Sequence, residues 1–363
     1  MKLLVTTQKV DRADPILGFF HAWIIELAKH FDVVTIICLE EGEHELPANV
    51  RVLTLGKSNQ KLVPVEAQVK RRIGYVWKFY TYILKEHKNY DAVFVHMNPV
   101  YSVLGWPIWR SLGKKVSLWY VHRSVDLKLR AAAILVDRIF TASKESFKIS
   151  SKKVLVVGHG IETGRFAGIT RPLPLPEDPI RVLHVGRITK IKNCDVLIEA
   201  AGILSQSWSR RVEVIFVGEM VTPADHEYRK KLDDQIKNLG LTDMVRFVGP
   251  IPNHDIGTWY AQADLTVNLA PTGGVDKAVL ESLASGAPVF WSNESFSDIF
   301  HPYESIFHIA YKDAGMLAEK IRLYCGRMDA SSIEAELRAR VVERFSIDAL
   351  ISRISLDIHD SSR

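Results

Sequence analysis

One segment of the sequence, Ala263–Ser292, combines a carboxylate with backbone amides in a way that suits a phosphorylated sugar. Its pattern predicts a strand, a turn with two glycines at Pro271–Gly274, and a helix over Val275–Ala284. Amides at the N-terminus of a helix bind anions. Glu281 lies inside the same helix, where its carboxylate can accept hydrogen bonds from sugar hydroxyls. The segment therefore predicts an anion site beside a group that binds hydroxyls.

Two cations, Arg187 and Lys192, form a second set of candidate site residues. They follow an apolar run at Ile180–Val185 and precede a helix predicted over Cys194–Leu204. We therefore expect them at the carboxyl end of a strand, where parallel sheets bind their ligands. An arginine contacts two oxygens at once and a lysine adds a point charge, which together suit a diphosphate. A solvated basic loop explains the same two residues equally well when they are considered alone.

The elements that must position these groups alternate along the whole chain, as apolar β-branched runs separated by helical patterns. Repeated strand–helix units predict an α/β fold with two doubly wound, Rossmann-like parallel-sheet domains that face each other across a cleft. The predicted strands of the first half are Lys2–Thr6, Val33–Cys38, Val50–Thr54, Ala92–His96, Lys115–Val121, Arg138–Thr141 and Val154–Val157. Those of the second half are Ile180–Val185, Val212–Val217, Val245–Val248, Leu265–Leu269 and Pro288–Phe290.

The composition of one short stretch predicts where the two domains meet. Gly158–Pro179 holds four glycines and four prolines, which is typical of an interdomain linker. We expect an N-terminal domain over residues 1–160, a linker over 161–179 and a C-terminal domain over 180–342. The remaining residues, 343–363, have an amphipathic helical pattern and need a surface to pack on, for which the first domain is a candidate.

The overall composition fits a globular protein of two or three domains, since the chain has 363 residues with 47% apolar and 25% charged residues. The longest apolar runs, such as Ala131–Val136, are far shorter than the ~18 residues of a membrane span. The three cysteines, Cys38, Cys194 and Cys325, are scattered. We therefore expect no disulfide framework and no metal site, and a reducing cytoplasm fits.

Positive charge is concentrated in Lys61–Lys88, where seven Lys or Arg residues stand against two Glu and five aromatic residues are interspersed. This mixture suits an anionic membrane surface or an anionic acceptor. The stretch also fits a helix whose charges face water and whose apolar stripe faces the core. That stripe consists of Val65, Val69, Ile73, Val76, Tyr80 and Ile83. Both interpretations stay open at this point.

The sequence contains no motif that predicts a site for a dinucleotide, a zinc ion or nucleic acid. Gly158-His159-Gly160 follows a predicted strand, but a proline-rich segment follows it, whereas a dinucleotide fingerprint needs a helix there. The sequence also lacks a Walker loop, a zinc motif and a nucleophile elbow, and its cations are not arrayed for nucleic acid. We therefore expect no cofactor and no nucleic-acid partner.

Taken together, these motifs resemble the second domain of family 4 glycosyltransferases in order and spacing over about 110 residues. The first domain resembles the family more weakly, through Asp14–Gly18, His122 and Gly160-Ile161-Glu162. The matching segments of the second domain are Val185-Gly186-Arg187 with Lys192, Phe216-Val217-Gly218, Val245–Gly249, Tyr260–Asp264, and Leu280-Glu281 with Gly286–Val289.

This resemblance implies the GT-B fold and a retaining, metal-independent transfer of a hexose from a nucleotide sugar. It implies that Arg187 and Lys192 bind the diphosphate and that Glu281 binds the ribose hydroxyls. It also implies that His122 contacts the transferred sugar. The other positions that it places at the donor are Gly18 near the phosphates, the backbone around Val248 and Ile251 against the base, Gly186, and the loop Gly273, Gly274, Val275, Asp276 and Lys277.

The sequence departs from the family at Gly273, where a glutamate eight residues before Glu281 usually grips the sugar. The loss of one charge-assisted hydrogen bond costs ~1.5–3 kcal/mol, which weakens donor binding or transfer by roughly 10- to 150-fold. Asp276 can supply a carboxylate from the same loop, and Lys277 can add positive charge near the phosphates. We hypothesise that Asp276 does replace the missing glutamate.

The residues and the family resemblance together predict a glycosyltransferase that uses a nucleotide-diphosphate sugar, and the resemblance implies a lipid-linked or polysaccharide acceptor in cell-envelope glycan synthesis. A cytoplasmic protein that binds the inner face of the membrane fits this role. Two alternatives stay open. One is a GT-B nucleotide-sugar epimerase, although the sequence offers no evident set of carboxylates for proton transfer. The other is a non-catalytic GT-B protein that binds a nucleotide sugar or a glycan.

Overall fold

The computed structural model describes residues 1–14, 17–57, 65–122, 124–168, 178–252 and 255–361, without the side chains of residues 65–67 and 145. The chain forms two compact units. The first consists of Met1–Gly160 together with Ile347–Arg363, and the second is Ile161–Ser346. The C-terminal segment therefore returns to the first unit.

The first unit contains a seven-stranded sheet in the order β3-β2-β1-β4-β5-β6-β7, with all its strand pairs parallel. Its central strands are buried on both faces, which explains their continuous apolar sequences. The strands are β1 (Lys2–Val10), β2 (Val33–Glu41), β3 (Val50–Thr54), β4 (Ala92–His96), β5 (Lys115–Trp119), β6 (Arg138–Thr141) and β7 (Val154–Val156).

Helices cover both faces of this sheet and enclose two separate apolar cores. One core contains Trp23 of the first helix and Ile354 of the last, and the other contains Phe79, Trp109 and Leu129. The helices are α1 (Phe19–His30), α2 (Val65–Lys85), α3 (Pro99–Ser111), α4 (Leu127–Leu135) and, from the C-terminus, α13 (Ile347–Ser361).

The second unit contains a five-stranded parallel sheet in the order β10-β9-β8-β11-β12. Its strands are β8 (Ile180–Val185), β9 (Val212–Val217), β10 (Val245–Gly249), β11 (Leu265–Asn268) and β12 (Val289–Trp291). Its helices are α5 (Cys194–Ser207), α6 (Pro223–Asn238), α7 (Ile256–Gln262), α8 (Lys277–Ala284), α9 (Ser297–Phe300), α10 (Glu304–Phe307), α11 (Ala314–Cys325) and α12 (Ala330–Phe345). The reversal of strand order lies between β8 and β11, which is where such sheets bind ligands.

The C-terminal amphipathic segment packs on the first unit, as its sequence pattern allowed. Leu350 and Ile354 of α13 are fully buried in the core that α1 covers. Arg138 of β6 donates to the Asp357 carboxylate at 2.8 Å. The helix preceding it, α12, stays with the second unit up to Phe345.

The structure differs from the predicted division of the chain at the segment expected to be a linker. Ile161 and Phe166 are buried in the core of the second unit, and the Ile161 amide donates to the Phe345 carbonyl at 2.9 Å. The first part of the predicted linker is therefore packed structure, because its apolar residues have a core to join. Residues 169–177 lie outside the described residues.

Lys61–Lys88 was interpreted either as a surface for anions or as a helix with a core-facing apolar stripe, and each interpretation fits one part of α2. Phe79 and Ile83 are buried, but Val69, Ile73 and Trp77 are 52%, 64% and 75% exposed. The first half of the stripe therefore does not face the core, while the second half does. Residues 61–64 and the Val65 side chain lie outside the described part. Within the described residues, no helix is both long enough and apolar enough to cross a bilayer.

Candidate functional site

The candidate donor site lies at the carboxyl edge of the second sheet. Because all five strands are parallel, the loops that follow β8, β9, β10 and β11 emerge at the same edge. The first of these loops carries Arg187 and Lys192, and the last carries Gly273–Asp276 and leads into α8. The fold therefore gathers the two sets of residues that the sequence placed about 90 positions apart.

The loop after β8 is held close to the loop after β9 by two glycines. Gly218 has a φ of +150°, and a Cβ atom built on it would lie 1.9 Å from the Gly186 carbonyl oxygen. Only glycine permits this approach. The Ile188 amide then donates to the Glu219 carbonyl at 3.0 Å. Between these two anchors, Arg187 is exposed and forms no hydrogen bond or ion pair with the part of the chain that is described.

Lys192 and Asp276, which are 84 residues apart in sequence, form an ion pair. The Lys192 ammonium donates to Asp276 Oδ2, which also accepts from Asn268 Nδ2 at 3.0 Å. Asp276 Oδ1 accepts from the Ala278 amide at 3.3 Å. The loop after β8 and the start of α8 are thereby joined through one carboxylate.

Asp276 is the N-cap of α8, because its side chain accepts from the Ala278 amide. The helix begins at Lys277, two residues after the predicted start at Val275. The capping carboxylate occupies the helix N-terminus that was expected to bind an anion. Burial disfavours its charge, but the Lys192 ammonium and the hydrogen bonds from Asn268 and Ala278 hold the pKa of Asp276 below its ordinary value. An ionised carboxylate has about four lone-pair sites, so one on Oδ1 stays available to a ligand.

Glu281 lies one turn further along α8 and has an unusual protonation equilibrium. Burial raises the pKa of its carboxyl to about 7, against the opposing charges of Lys277 and Arg165. The Tyr260 hydroxyl lies 3.4 Å from Glu281 Oε2 and 3.2 Å from the Ala278 carbonyl. A carboxyl group that titrates near neutral pH in a partly buried position is a feature of functional sites.

Lys277 belongs to the same charged group as Glu281. Burial lowers the pKa of its ammonium, while the carboxylates of Glu281 and Glu162 oppose that shift. Glu162 in turn lies 3.5 Å from Arg165. Lys277 and Arg165 thus supply positive charge on the Glu281 side of α8.

The glycine loop before α8 is fixed through its carbonyl groups. The Gly273 carbonyl accepts from Ser295 Oγ at 2.8 Å and from Asn293 Nδ2 at 3.2 Å, and the Gly274 carbonyl lies 3.4 Å from the same amide. Gly273 has a φ of +147°, which a side chain at this position would rarely permit. Val275 follows and packs against the core.

The residues predicted to contact the base also lie at this edge. Val248 is near the end of β10 and Ile251 follows the strand, and both pack against the core while keeping part of their surface exposed. The Gly249 carbonyl accepts from the Gly218 amide at 2.9 Å. The base-binding role of Val248 and Ile251 stays a prediction.

Gly18 and His122 belong to the first unit, where each follows a strand of the seven-stranded sheet. Gly18 precedes α1, and a Cβ atom built on it would lie 2.5 Å from the Asp14 carbonyl oxygen. His122 is exposed, with its ring 6.0 Å from that of Tyr120. Their predicted contacts with the phosphates and the sugar stay predictions.

The structure adds His184 to the site, which sequence reasoning missed. Its Nδ1 donates to the Val267 carbonyl at 3.1 Å, so Nε2 carries the lone pair. Burial and the Lys192 charge lower the pKa of His184 to about 4, so the ring is neutral. A Cβ atom built on Gly186 would lie 3.5 Å from Nε2 and 3.7 Å from Lys192 Cε, so the loop backbone lies directly against both side chains.

Asn268 and Tyr260 were also missed as contributors. Asn268 is a polar residue at the end of an apolar strand, and from this feature the sequence alone could have predicted a role in the site. Tyr260 could not be predicted in this way, because an aromatic residue in an apolar helix normally belongs to the core. Its position beside Glu281 depends on the packing of α7 against α8.

Comparison with known proteins matches this second unit to one family. Residues 168–331 match the family model described as Glycosyl transferases group 1. The D-inositol 3-phosphate glycosyltransferase of Streptosporangium roseum is 34% identical over 147 residues, which cover 38% of this chain and 33% of that protein. The chain spans between 33% and 53% of the length of three curated relatives that carry this name.

Solved structures match over nearly the whole chain. The Anabaena protein HepE in complex with UDP has a TM-score of 0.72 at 18% identity and covers 99% of this chain and 100% of its own. A lipopolysaccharide outer core galactosyltransferase, WaaB, has a TM-score of 0.65 at 11% identity, covering 98% and 99% of the two chains. These likenesses confirm the predicted fold of two Rossmann-like parallel-sheet domains, the GT-B type. Residues 168–331 therefore match the model of group 1 glycosyl transferases, within a chain that has a GT-B fold.

Proposed function

We propose that this protein is a retaining glycosyltransferase that moves a hexose from a nucleotide-diphosphate sugar to a lipid-linked or polysaccharide acceptor in cell-envelope glycan synthesis. The observation that carries the proposal is the meeting of Lys192 with the N-terminus of α8, four residues before Glu281, at the carboxyl edge of the second sheet. The match of this unit to the group 1 family supports it. So does the likeness of the fold to HepE, which was solved with UDP and with UDP-glucose.

The proposed chemistry depends on stabilising a diphosphate as it leaves. When the bond between the anomeric carbon and the phosphate oxygen breaks, negative charge grows on the β-phosphate. The Lys192 ammonium has three N–H donors, of which Asp276 uses one, so the others can donate to phosphate oxygens. The exposed Arg187 guanidinium can bind the same group in a fork. Cations already in place stabilise this charge without reorganisation, and the proposed reaction needs no metal ion or cofactor.

The nucleoside half of the donor fits the position of Glu281. Its ionised carboxylate can accept hydrogen bonds from the two ribose hydroxyls, and Lys277 lies beside it to balance the charge. Because the pKa of Glu281 is about 7, the free protein holds this group partly protonated at neutral pH. We expect the donor to bind to the form of the protein in which Glu281 is ionised.

The sugar half of the site has no glutamate at Gly273, and we propose that Asp276 contributes there. Three protein groups already use its carboxylate, which leaves about one lone pair on Oδ1 for a sugar hydroxyl. This proposal can be separated from a pure tethering role by comparing two ligands. If Asp276 contacts the sugar, Asp276→Asn weakens binding of the nucleotide sugar ~10- to 150-fold more than binding of the nucleoside diphosphate. Equal weakening of both ligands would leave Asp276 as a positioning residue for Lys192.

The activity can be tested by nucleotide release. The wild-type protein is incubated with UDP-, GDP- and ADP-sugars, with and without a cell-envelope lipid fraction, and free nucleoside diphosphate is measured. We expect acceptor-dependent release from one donor class, with UDP-sugars the first to test. Lys192→Met is expected to abolish most release, whereas Lys190→Met, which removes an exposed cation from the same loop, is the matched control. The absence of release from every donor, in the presence of measurable binding, contradicts the transferase.

One observation favours a second candidate, a GT-B protein that binds a nucleotide sugar without turning it over. Most of the Asp276 carboxylate is committed to protein partners, and Gly273 offers no side chain to a sugar. Such a protein would show a donor-dependent rise in melting temperature but would release no nucleotide. The release assay and a thermal-shift measurement on the same samples separate the two candidates.

We also propose that the first half of α2 binds an anionic lipid surface. Val69, Ile73 and Trp77 recur at four-residue steps, so their exposed side chains form one stripe, with Lys70 and Arg72 exposed beside it. An apolar stripe bordered by cations is the pattern that inserts into the headgroup region of anionic bilayers. This placement would bring the enzyme to a lipid-linked acceptor.

Liposome sedimentation tests this surface. Neutralising Lys70, Arg71 and Arg72 to Gln is expected to reduce sedimentation with anionic vesicles, and Trp77→Ser is expected to reduce it further. The control replaces Lys230, Lys231 and Lys237 of α6, which removes the same number of charges from the second unit. Equal sedimentation of all variants would rule the surface out.

A further inference from the structure

We propose that the first unit holds a divalent metal site, formed by Glu26 and His30 of α1 and Asp348 of α13, and that it takes a zinc-type cation. The three side chains each offer one ligand atom, and these atoms all lie within 4.8 Å of one another. Glu26 and His30 are one helical turn apart on the same face of α1, and Asp348 lies in the first turn of α13. The site is independent of the proposed transferase activity.

The separation of the ligand atoms fits a shared cation. Glu26 Oε1 lies 3.8 Å from His30 Nε2, which is too far for a hydrogen bond. Two atoms that both bind one Zn²⁺ at about 2.1 Å in a tetrahedral site lie about 3.4 Å apart. The first pair is therefore within about half an ångström of that spacing. Asp348, an exposed side chain, completes the set by an inward movement of up to about 1.4 Å.

A second observation points to a ligand at this position. Glu26 is only 6% exposed, and its Oε1 has no hydrogen-bond partner among the described residues. His30 Nε2 is equally enclosed and has no hydrogen-bond partner in the same part of the chain. At 3.8 Å, Glu26 Oε1 and His30 Nε2 form no hydrogen bond with each other. A buried polar atom without a hydrogen bond destabilises the folded state. A cation between the two atoms satisfies both.

The surroundings of the site define the class of cation. Lys29 lies 2.5 Å from Glu26 Oε2, so it occupies the other carboxylate oxygen and leaves Oε1 to the metal. One imidazole nitrogen with two carboxylate oxygens is a donor set suited to zinc-type cations, whereas Mg²⁺ prefers oxygen ligands alone. The three protein ligands leave a fourth position for water.

The position of the ligands assigns the site a structural role. Two ligands come from α1 and the third from the helix that returns from the far end of the sequence. A cation shared between them would fasten the start of α13 to the first unit. A metal that binds only the folded state raises the free energy of unfolding by an amount that grows with the logarithm of the free metal concentration once this exceeds the dissociation constant. At a free Zn²⁺ concentration 100 times the dissociation constant, the ratio of folded to unfolded protein rises about 100-fold.

The experiment uses the full-length, untagged protein after treatment with a chelator. Equilibrium dialysis against Zn²⁺ or Mg²⁺, followed by elemental analysis, gives the bound metal per chain, and thermal unfolding gives the shift in melting temperature. We expect one Zn²⁺ per wild-type chain, no bound Mg²⁺ and a higher melting temperature with Zn²⁺. His30→Gln and Asp348→Asn are expected to lose both the bound Zn²⁺ and the shift.

His44→Gln is the matched control, because His44 lies 3.1 Å from Glu41 in another His–Glu pair of the same unit. It is expected to bind Zn²⁺ like the wild type. Asp348→Asn changes an exposed residue, so it decides the result if His30→Gln does not fold. The proposal is overturned if the wild type binds no Zn²⁺, if it binds Mg²⁺ as well as Zn²⁺, or if folded Asp348→Asn keeps the metal.

Discussion

Glu281→Gln is expected to make the protein more stable and less able to bind its donor, and the gain in stability is expected to depend on pH. The folded protein holds the pKa of Glu281 at about 7, against an ordinary value of 4.5. Below pH 4.5 the carboxyl is neutral in both the folded and the unfolded state, so it changes nothing. As pH rises, the unfolded chain loses this proton first, and the folded state becomes less stable until pH 7 is passed.

The size of the stability change follows from the difference between the pKa of Glu281 in the folded protein, about 7, and its ordinary value of 4.5. At about 1.4 kcal/mol per pH unit, ionising Glu281 in the folded state costs about 3 kcal/mol at pH 8. A glutamine side chain at this position would have nearly the same shape and no charge, so it avoids this cost. We therefore expect the free energy of unfolding to rise by about 3 kcal/mol at pH 8 and to match the wild type near pH 4.5.

Urea unfolding from pH 4.5 to 8, followed by circular dichroism, measures the stability difference. Titration calorimetry at pH 8 with the preferred nucleotide sugar measures binding, which is expected to weaken ~10- to 150-fold because charge-assisted hydrogen bonds to the ribose are lost. Glu199→Gln on the exposed face of α5 is the control and should alter neither quantity. A variant no more stable than the wild type at pH 8, or one equally stabilised at every pH, would show that burial does not oppose the ionisation of Glu281.

Three further changes test other contacts. Gly218→Ala should destabilise the second unit by several kcal/mol, since its Cβ would lie 1.9 Å from the Gly186 carbonyl oxygen. Gly74→Ala in α2, which has open space, should stabilise by about 0.5–1 kcal/mol, and melting temperatures check both. Tyr260→Phe removes a hydrogen bond that lowers the pKa of Glu281, so the pH midpoint of donor binding should move upward. An unchanged midpoint would show that this hydroxyl donates only to the Ala278 carbonyl.

The fold could be predicted from the sequence because its signals are local. Strands buried on both faces need long apolar runs, and β8 and β9 begin and end where such runs do. The segments between the strands have lengths and periods that only crossover helices fit. The packing of α13 on the first unit was left open, since an amphipathic pattern does not name its partner.

The contacts within the candidate site were not predictable in the same way. Lys192 and Asp276 are 84 residues apart, so their ion pair depends on how the sheet aligns β8 with β11. The start of α8 was misplaced for the same reason, because Asp276 caps the helix while holding Lys192. The position of Tyr260 beside Glu281 likewise results from packing.

Helix α2 shows a limit of periodicity as a signal. The repeat from Val65 to Ile83 is continuous in sequence, yet in its described part Val69 is exposed and Ile83 is buried. Periodicity shows that a helix has an apolar face, and burial depends on whether another element covers it. In this chain only the C-terminal half of that face is covered within the described residues.

The most direct test of the central claim is an experimental structure of the protein with a bound nucleotide sugar. We expect the diphosphate at the carboxyl edge of the second sheet, with oxygens about 2.7–2.9 Å from Lys192 Nζ and from the Arg187 guanidinium. We also expect the ribose hydroxyls within hydrogen-bond distance of Glu281. A nucleotide sugar bound elsewhere, with Lys192 paired only to Asp276, would show that these residues do not form the donor site.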